Sequence, residues 1–147
     1  KIIYMDAIDR AILEILEENA KLGTKEIAQQ VGLSVTPTYE RIKKLEREGI
    51  IRRYTIELDK KKIGKELRVF CYVSLKEHNL DLLQRFEEQV IALPEVVSCY
   101  HIAGDHDYAL MVDIQNMETY EQFLRHKLTT IPSIVNVRSS FVMNEIR

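Results

Sequence analysis

Three groups of residues in this sequence have the types and spacing to do chemistry. The first is basic: Arg41, Lys43, Lys44, Arg47, Arg52 and Arg53 follow a run of hydroxyls and one carboxylate at Ser34, Thr36, Thr38 and Glu40. Cationic side chains neutralise DNA phosphates, while hydroxyls and a carboxylate hydrogen-bond base edges, Glu to cytosine N4 in particular. The second is the turn Gly104-Asp105-His106-Asp107 together with Ser139 and Ser140. Glycine lets the backbone approach a ligand, Asp105 or Asp107 accepts hydrogen bonds from an α-ammonium group, and the serines donate to a carboxylate. The third group overlaps the second: His101, Asp105, His106 and Asp107 are of the types that hold metals or move protons. Hairpin turns collect Asp and Gly for backbone reasons alone, and no partner motif occurs elsewhere, so no metal ligand and no catalytic residue is assigned. His78 and His126 fall on polar surfaces and need no role.

The elements that must position these groups differ between the two halves of the chain. Asp6 can cap a first helix with Asp9 at its N3 position, and Ile8, Ile12, Ile15 and Leu16 recur at helical spacing until Gly23. Thr24 can cap a second helix, with Ile27, Ala28 and Val31 facing inward; Gly32 supplies a tight turn, and Ser34 caps a third helix. A small residue for close approach, a turn glycine and a capping serine suit a helix-turn-helix, whose second helix enters the major groove. With Ile42 central to the buried face, turning roughly 100° per residue brings Val35, Tyr39 and Leu45 to the same side. Thr36, Pro37, Glu40, Lys44 and Arg47 then lie opposite, with Arg41 and Lys43 on the flanks and Gly49 at the end. Ile50, Tyr54, Ile56 and Leu58 alternate with polar residues around Arg52 and Arg53, which predicts a strand, part of a small wing. A helical hairpin with a merely solvated charged face is the plainer alternative; the threonine-rich helix start, the local basic excess and Arg52-Arg53 argue against it.

Charge supports the division. The chain has 147 residues and a formal net charge of −2, too acidic for a uniformly basic nucleic-acid binder. Residues 1–62 carry 13 Lys/Arg against 11 Asp/Glu, and residues 63–147 carry 8 against 12. The excess peaks between Glu40 and Lys62, where 9 basic residues face 5 acidic ones, a patch fit for phosphates. Asp59-Lys60-Lys61-Lys62-Ile63-Gly64 reads as a linker, so the boundary is placed at 62/63. No apolar run is long enough to span a membrane, and the start, Lys1-Ile2-Ile3-Tyr4, is too short for a signal peptide, so the cytoplasm is expected. Cys71 and Cys99, the two cysteines, lie in apolar segments and read as reduced core thiols.

Past the linker, Val69, Cys71, Val73 and Leu75 alternate with Phe70, Tyr72 and Ser74, a strand apolar on both faces. Leu82, Leu83, Phe86, Val90 and Leu93 give a helix, and Val96–Ala103 and Tyr108–Ile114 a hairpin. Met117, Tyr120, Phe123, Leu124 and Leu128 give a second helix capped by Asn116, and Ile134–Met143 a last strand. The order β-α-β-β-α-β predicts a ferredoxin-like sandwich with strand order 4-1-3-2. Its uncovered sheet face should meet a second copy, and a third strand should keep Cys71 and Cys99 too far apart to bond.

The segments MDAIDRAIL (from Met5), GLSVTPTYERIKKLEREGIIRRYTIELDKKKIG (from Gly32) and Gly104-Asp105-His106-Asp107-Tyr108 occur in order over nearly the whole chain. On these the chain resembles the Lrp/AsnC (feast/famine) transcriptional regulators. The resemblance implies an α+β protein with an N-terminal winged helix-turn-helix and a C-terminal regulator-of-amino-acid-metabolism (RAM) module of the βαββαβ type. It further implies binding to double-stranded DNA, homodimers that build octamers as tetramers of dimers, and an amino-acid effector held where modules of neighbouring dimers meet. No cofactor and no enzymatic activity are expected. Met5 replaces the usual leucine and Glu40 a commonly basic residue, so the preferred operator should differ from that of relatives. An architectural DNA-binding protein without effector, or a small metal-dependent enzyme, are the alternatives.

Overall fold

The structure, a computed structural model, describes residues 4–146. Lys1, Ile2 and Ile3, on which the expectation about a signal peptide rests, lie outside the described residues, as does Arg147. The chain divides into two compact units between Glu57 and Leu58.

The first unit is helical. Asp6 caps α1 (Ala7–Glu18) by accepting the Asp9 N–H at 2.8 Å, and Asp9 accepts the Asp6 N–H in return, the reciprocal pairing that satisfies two orphan donors of a helix start. For α2 (Thr24–Val31) the cap is Gly23 rather than Thr24, and its N–H is held by Glu26 Oε2 at 2.8 Å. Gly32 ends α2 at φ 71°, in the left-handed region that glycine tolerates, and Leu33 N–H closes the turn on the Ala28 carbonyl. Helix α3 (Val35–Arg47) follows with Ser34 at its N-cap, although the serine side chain makes no cap bond. Ile12, Ile27, Ile42 and Leu45 form the core of the unit, each burial stabilising by about 1.5–3 kcal/mol.

Two expectations for this unit change. The buried stripe of α3 is Thr38, Ile42 and Leu45, whereas Val35 and Tyr39 are nearly half exposed. Residues 50–58 form no strand within the chain. Ile50 and Ile51 both donate to the Leu45 carbonyl and so finish the helix end. Beyond them a strand would need neighbouring carbonyls and N–H groups, and the helical unit supplies no second strand among the described residues. Tyr54, Ile56 and Leu58 are left exposed.

The second unit runs β1 (Leu67–Leu75), α4 (Leu80–Ile91), β2 (Val96–His101), β3 (Tyr108–Ile114), α5 (Met117–Phe123), a π turn at Leu124–Leu128 and β4 (Ile134–Phe141). The antiparallel sheet has order β2-β3-β1-β4, the predicted order read from its other edge. Strands β2 and β4 each stop two residues earlier than the sequence suggests. Val69, Cys71, Val73, Leu110 and Val112 pack on Phe86 and Val90 of α4 and on Tyr120 and Phe123 of α5. Cys71 and Cys99 each lie opposite Leu110 on its two sides, so β3 separates them and both are free thiols. Cys71 is buried; Cys99, on an edge strand, is only partly so. Burial still pushes the Cys99 thiol up to about 11.

Register places Phe70, Tyr72, Met111 and Tyr100 on the face opposite the helices, with Arg138 and Ser140 beside them. At one end of that face Asp113, 2 % exposed, takes two bonds from Arg68, 2.7 and 2.9 Å, and lies 3.4 Å from Lys60 Nζ. Burial opposes the charge on Asp113, but the two cations overcome it and hold the carboxyl below its ordinary value. The polar stretch Asp59–Gly64 is thus part of the second unit, joined to its sheet through Lys60.

Candidate functional site

On α3 the apolar stripe faces the core of its unit, so the helix must turn its polar side outward. Thr36, Pro37, Glu40 and Arg47 are exposed there and Lys44 is half-buried, while Ser34 stands exposed at the helix start. Arg52 and Arg53 are exposed just past the helix end. A hydroxyl, a carboxylate and cations on one helical face can meet base edges and phosphates together.

Three residues of the expected DNA-contacting set are engaged elsewhere. Thr38 is fully buried and its Oγ1 donates to the Ser34 carbonyl at 3.0 Å, so it supports the helix start and cannot reach a base. The position was legible: Thr38 lies roughly 40° from Ile42 on the helical wheel, closer than Tyr39 at roughly 60°. Arg41 Nη1 lies 2.7 Å from Asp6 Oδ2 and 2.7 Å from Asp9 Oδ1. Those bonds raise the arginine pKa, Asp9 contributing most, while the Asp9 N–H and then Arg41 lower that of Asp6. Lys43 Nζ sits 2.7 Å from Glu46 Oε2 and 5.6 Å above the Tyr39 ring. Glu46 also accepts the Tyr54 hydroxyl at 2.9 Å, and burial followed by this carboxylate pushes Tyr54 up to about 12. No pattern in the sequence announced the Tyr54–Glu46 bond.

The turn between β2 and β3 is built differently from the expectation. Gly104 has φ 146°, a conformation that side chains rarely adopt, and open space lies where a Cβ would stand. Asp105 is exposed. Asp107 is already engaged in holding the turn: Oδ2 accepts the Leu75 N–H at 2.7 Å and Oδ1 lies 2.8 Å from His78 Nε2. The Leu75 N–H first, and His78 after it, lower the Asp107 pKa. His106 Nδ1 pairs with Ser74 Oγ at 3.1 Å, its ring beside Tyr72. His78, which needed no role in the sequence, is thus part of the turn's support.

Ser139 and Ser140 do not join this turn. Adjacent residues of a strand point to opposite faces, and here Ser139 faces the helices and Ser140 the open side. Ser139 Oγ pairs with the Tyr120 hydroxyl at 2.5 Å, which also lies 3.2 Å from Cys71 Sγ. Burial raises the Tyr120 pKa, so the tyrosine stays neutral between buried Cys71 and half-buried Ser139. Among the described residues no His, Cys, Asp and Glu cluster could hold a metal ion, and no helix is long and apolar enough to cross a membrane.

Comparison with known proteins returns the same two parts. Residues 5–52 match the family described as winged helix-turn-helix DNA-binding, and residues 68–147 the Lrp/AsnC ligand binding domain. The Bkd operon transcriptional regulator of Pseudomonas aeruginosa is 38 % identical over 142 residues, covering 97 % of this chain and 93 % of its own. A crystal structure of an AsnC family transcriptional regulator from Agrobacterium tumefaciens is 38 % identical with a TM-score of 0.91, covering 97 % of this chain and 93 % of that one. A transcriptional regulator from Neisseria meningitidis, crystallised as its L-Met complex, is 33 % identical with a TM-score of 0.93, covering 98 % and 93 %.

Proposed function

The chain belongs to the Lrp/AsnC family of DNA-binding transcriptional regulators, and on that basis we propose how its parts divide the work. Residues 1–62 bind double-stranded DNA through the outer face of α3, with Thr36 and Glu40 reading bases and Lys44, Arg47, Arg52 and Arg53 holding phosphates. Residues 63–147 associate with further copies, as dimers and then octamers, and bind an amino acid. The protein works in the cytoplasm and catalyses nothing. The observation that carries the DNA reading is the division of α3 into a buried stripe and an exposed face bearing Thr36, Glu40 and Arg47.

The effector reading is supported by the L-Met complex of the Neisseria relative and by the open backbone at Gly104 beside exposed Asp105. The effector meets the turn's backbone and Asp105, while Asp107 and His106 hold the turn in shape. A panel of free amino acids in a thermal-shift assay tests this. A ligand at a hundredfold its Kd stabilises the folded state by about 2.7 kcal/mol. For a chain of this length that raises Tm by roughly 5–10 °C. An unmoved Tm with every amino acid would leave an architectural DNA-binding protein.

A further inference from the structure

We propose that Arg41 is a positioning residue and not a DNA ligand: with Asp6 and Asp9 it fixes the rotation of α3, and so the register in which Thr36, Glu40 and Lys44 meet DNA. The proposal rests on the reading that α3 docks on DNA. Each carboxylate does two things at once. Asp6 uses Oδ1 to accept the Asp9 N–H and Oδ2 to hold Arg41; Asp9 uses Oδ2 for the Asp6 N–H and Oδ1 for Arg41. Neither carboxyl can swing away from Arg41 without opening the cap of α1. Nη1 carries two hydrogens, and two carboxylate oxygens at 2.7 Å take both.

Beside this tether the roll of α3 rests on core packing, which a small rotation can accommodate. Its buried stripe is three residues wide, Thr38, Ile42 and Leu45, and its N-cap serine makes no side-chain bond. Arg41 stands on the flank between that stripe and the exposed face, where a tether resists rolling most directly. Charge argues against a phosphate contact. Two carboxylates around one guanidinium leave the cluster one charge negative, and Asp9 is 2 % exposed, so water screens it poorly. Lysine ends its chain one bond short of Nη1, so its ammonium would not hold both carboxylates in the same geometry.

The test compares Arg41→Ala, Arg41→Lys and Asp6→Asn with the wild-type full chain. The probes are a duplex selected by the wild-type protein from a randomised pool and a shuffled duplex of the same composition. Asparagine caps a helix as well as aspartate does. Its amide, however, offers one oxygen for two tasks, so Asp6→Asn keeps α1 while loosening Arg41. The expected result is that all three variants lose at least about tenfold in preference for the selected duplex, about 1.4 kcal/mol. Their log–log salt slopes should stay within about 0.3 of wild type, because no phosphate contact is removed. Arg41→Ala lowering the slope by about 0.9 while Asp6→Asn tightens binding to both duplexes would make Arg41 a phosphate ligand and overturn the proposal. Unchanged preference in Asp6→Asn and Arg41→Lys would overturn it as well, even should Arg41→Ala fail to fold. Failure of the underlying reading looks different: Lys44→Ala with Arg47→Ala would then leave binding to the selected duplex intact.

Discussion

Asp107 Oδ2 accepts the backbone N–H of Leu75 at 2.7 Å, tying the β2–β3 turn to the last residue of β1. The N–H of Asp107 in turn bonds the Val73 carbonyl, so one residue fastens the turn to the strand twice. Asp107→Ala leaves the Leu75 donor without this partner and should cost about 1–3 kcal/mol with no ligand present. Thermal unfolding of the unliganded variant measures it. Because the folded carboxyl titrates below its ordinary value, its contribution is present above the ordinary aspartate pKa, about 3.9, and is lost as pH falls through the lower folded value. The stability gap between wild type and Asp107→Asn should therefore narrow as pH falls below the ordinary aspartate value.

Asp113 and Arg68 form a nearly dry pair, the carboxylate side chain 1 % and the arginine 20 % exposed. Removing one partner of a buried pair costs about 3–5 kcal/mol, and Arg68, which keeps Glu145 at 3.0 Å, puts Asp113 at the low end of that range. Asp113→Ala should lose that much in chemical denaturation. Arg68→Met combined with Asp113→Leu should recover most of it, and additive losses in the double variant would show that the two groups do not act together.

Phe70 at 38 % exposure and Tyr100 at 61 % lie on the sheet face that the helices leave open. Apolar aromatic area of this kind is rarely left to water on a monomer. Phe70→Glu should shift sedimentation of the full chain toward the monomer, with its circular dichroism unchanged. A variant that sediments as wild type would show that this face is not where copies meet.

How much of this was legible depended on range. Elements whose periodicity is local could be read: the alternation of Val69 to Leu75 and the helical spacing of Phe86 and Val90 placed β1 and α4 and, with the connections, the strand order. Asp6 as a cap was legible because its partner is three residues away. Its bond to Arg41 spans 35 residues, and nothing in the spacing of charges reveals such a pairing. The strand expected over Ile50–Leu58 is not formed for a different reason: alternation shows which residues suit a strand, and a ladder needs a neighbour that the described residues of this unit do not supply. Ser139 and Ser140, as neighbours on a strand, face opposite ways, so only one of them can line a pocket on a given face. Asp107 has the right chemistry for an ammonium group, and its bonds to Leu75 and His78, 32 and 29 residues away, give it a structural task that local spacing does not reveal.

The central claim, that the outer face of α3 is where this protein meets DNA, is tested most directly by the salt dependence of DNA affinity. Lys44 and Arg47 are the cations on that face for which no ion pair with a carboxylate is formed among the described residues. Each phosphate neutralised contributes about 0.9 to the slope of log affinity against log salt. Anisotropy titrations of wild type and of the Lys44→Ala, Arg47→Ala double variant, repeated across salt concentrations, should show the slope shallower by about 1.8 in the variant, with weakened binding to every duplex. An equal slope and equal affinity in a folded double variant would contradict the account.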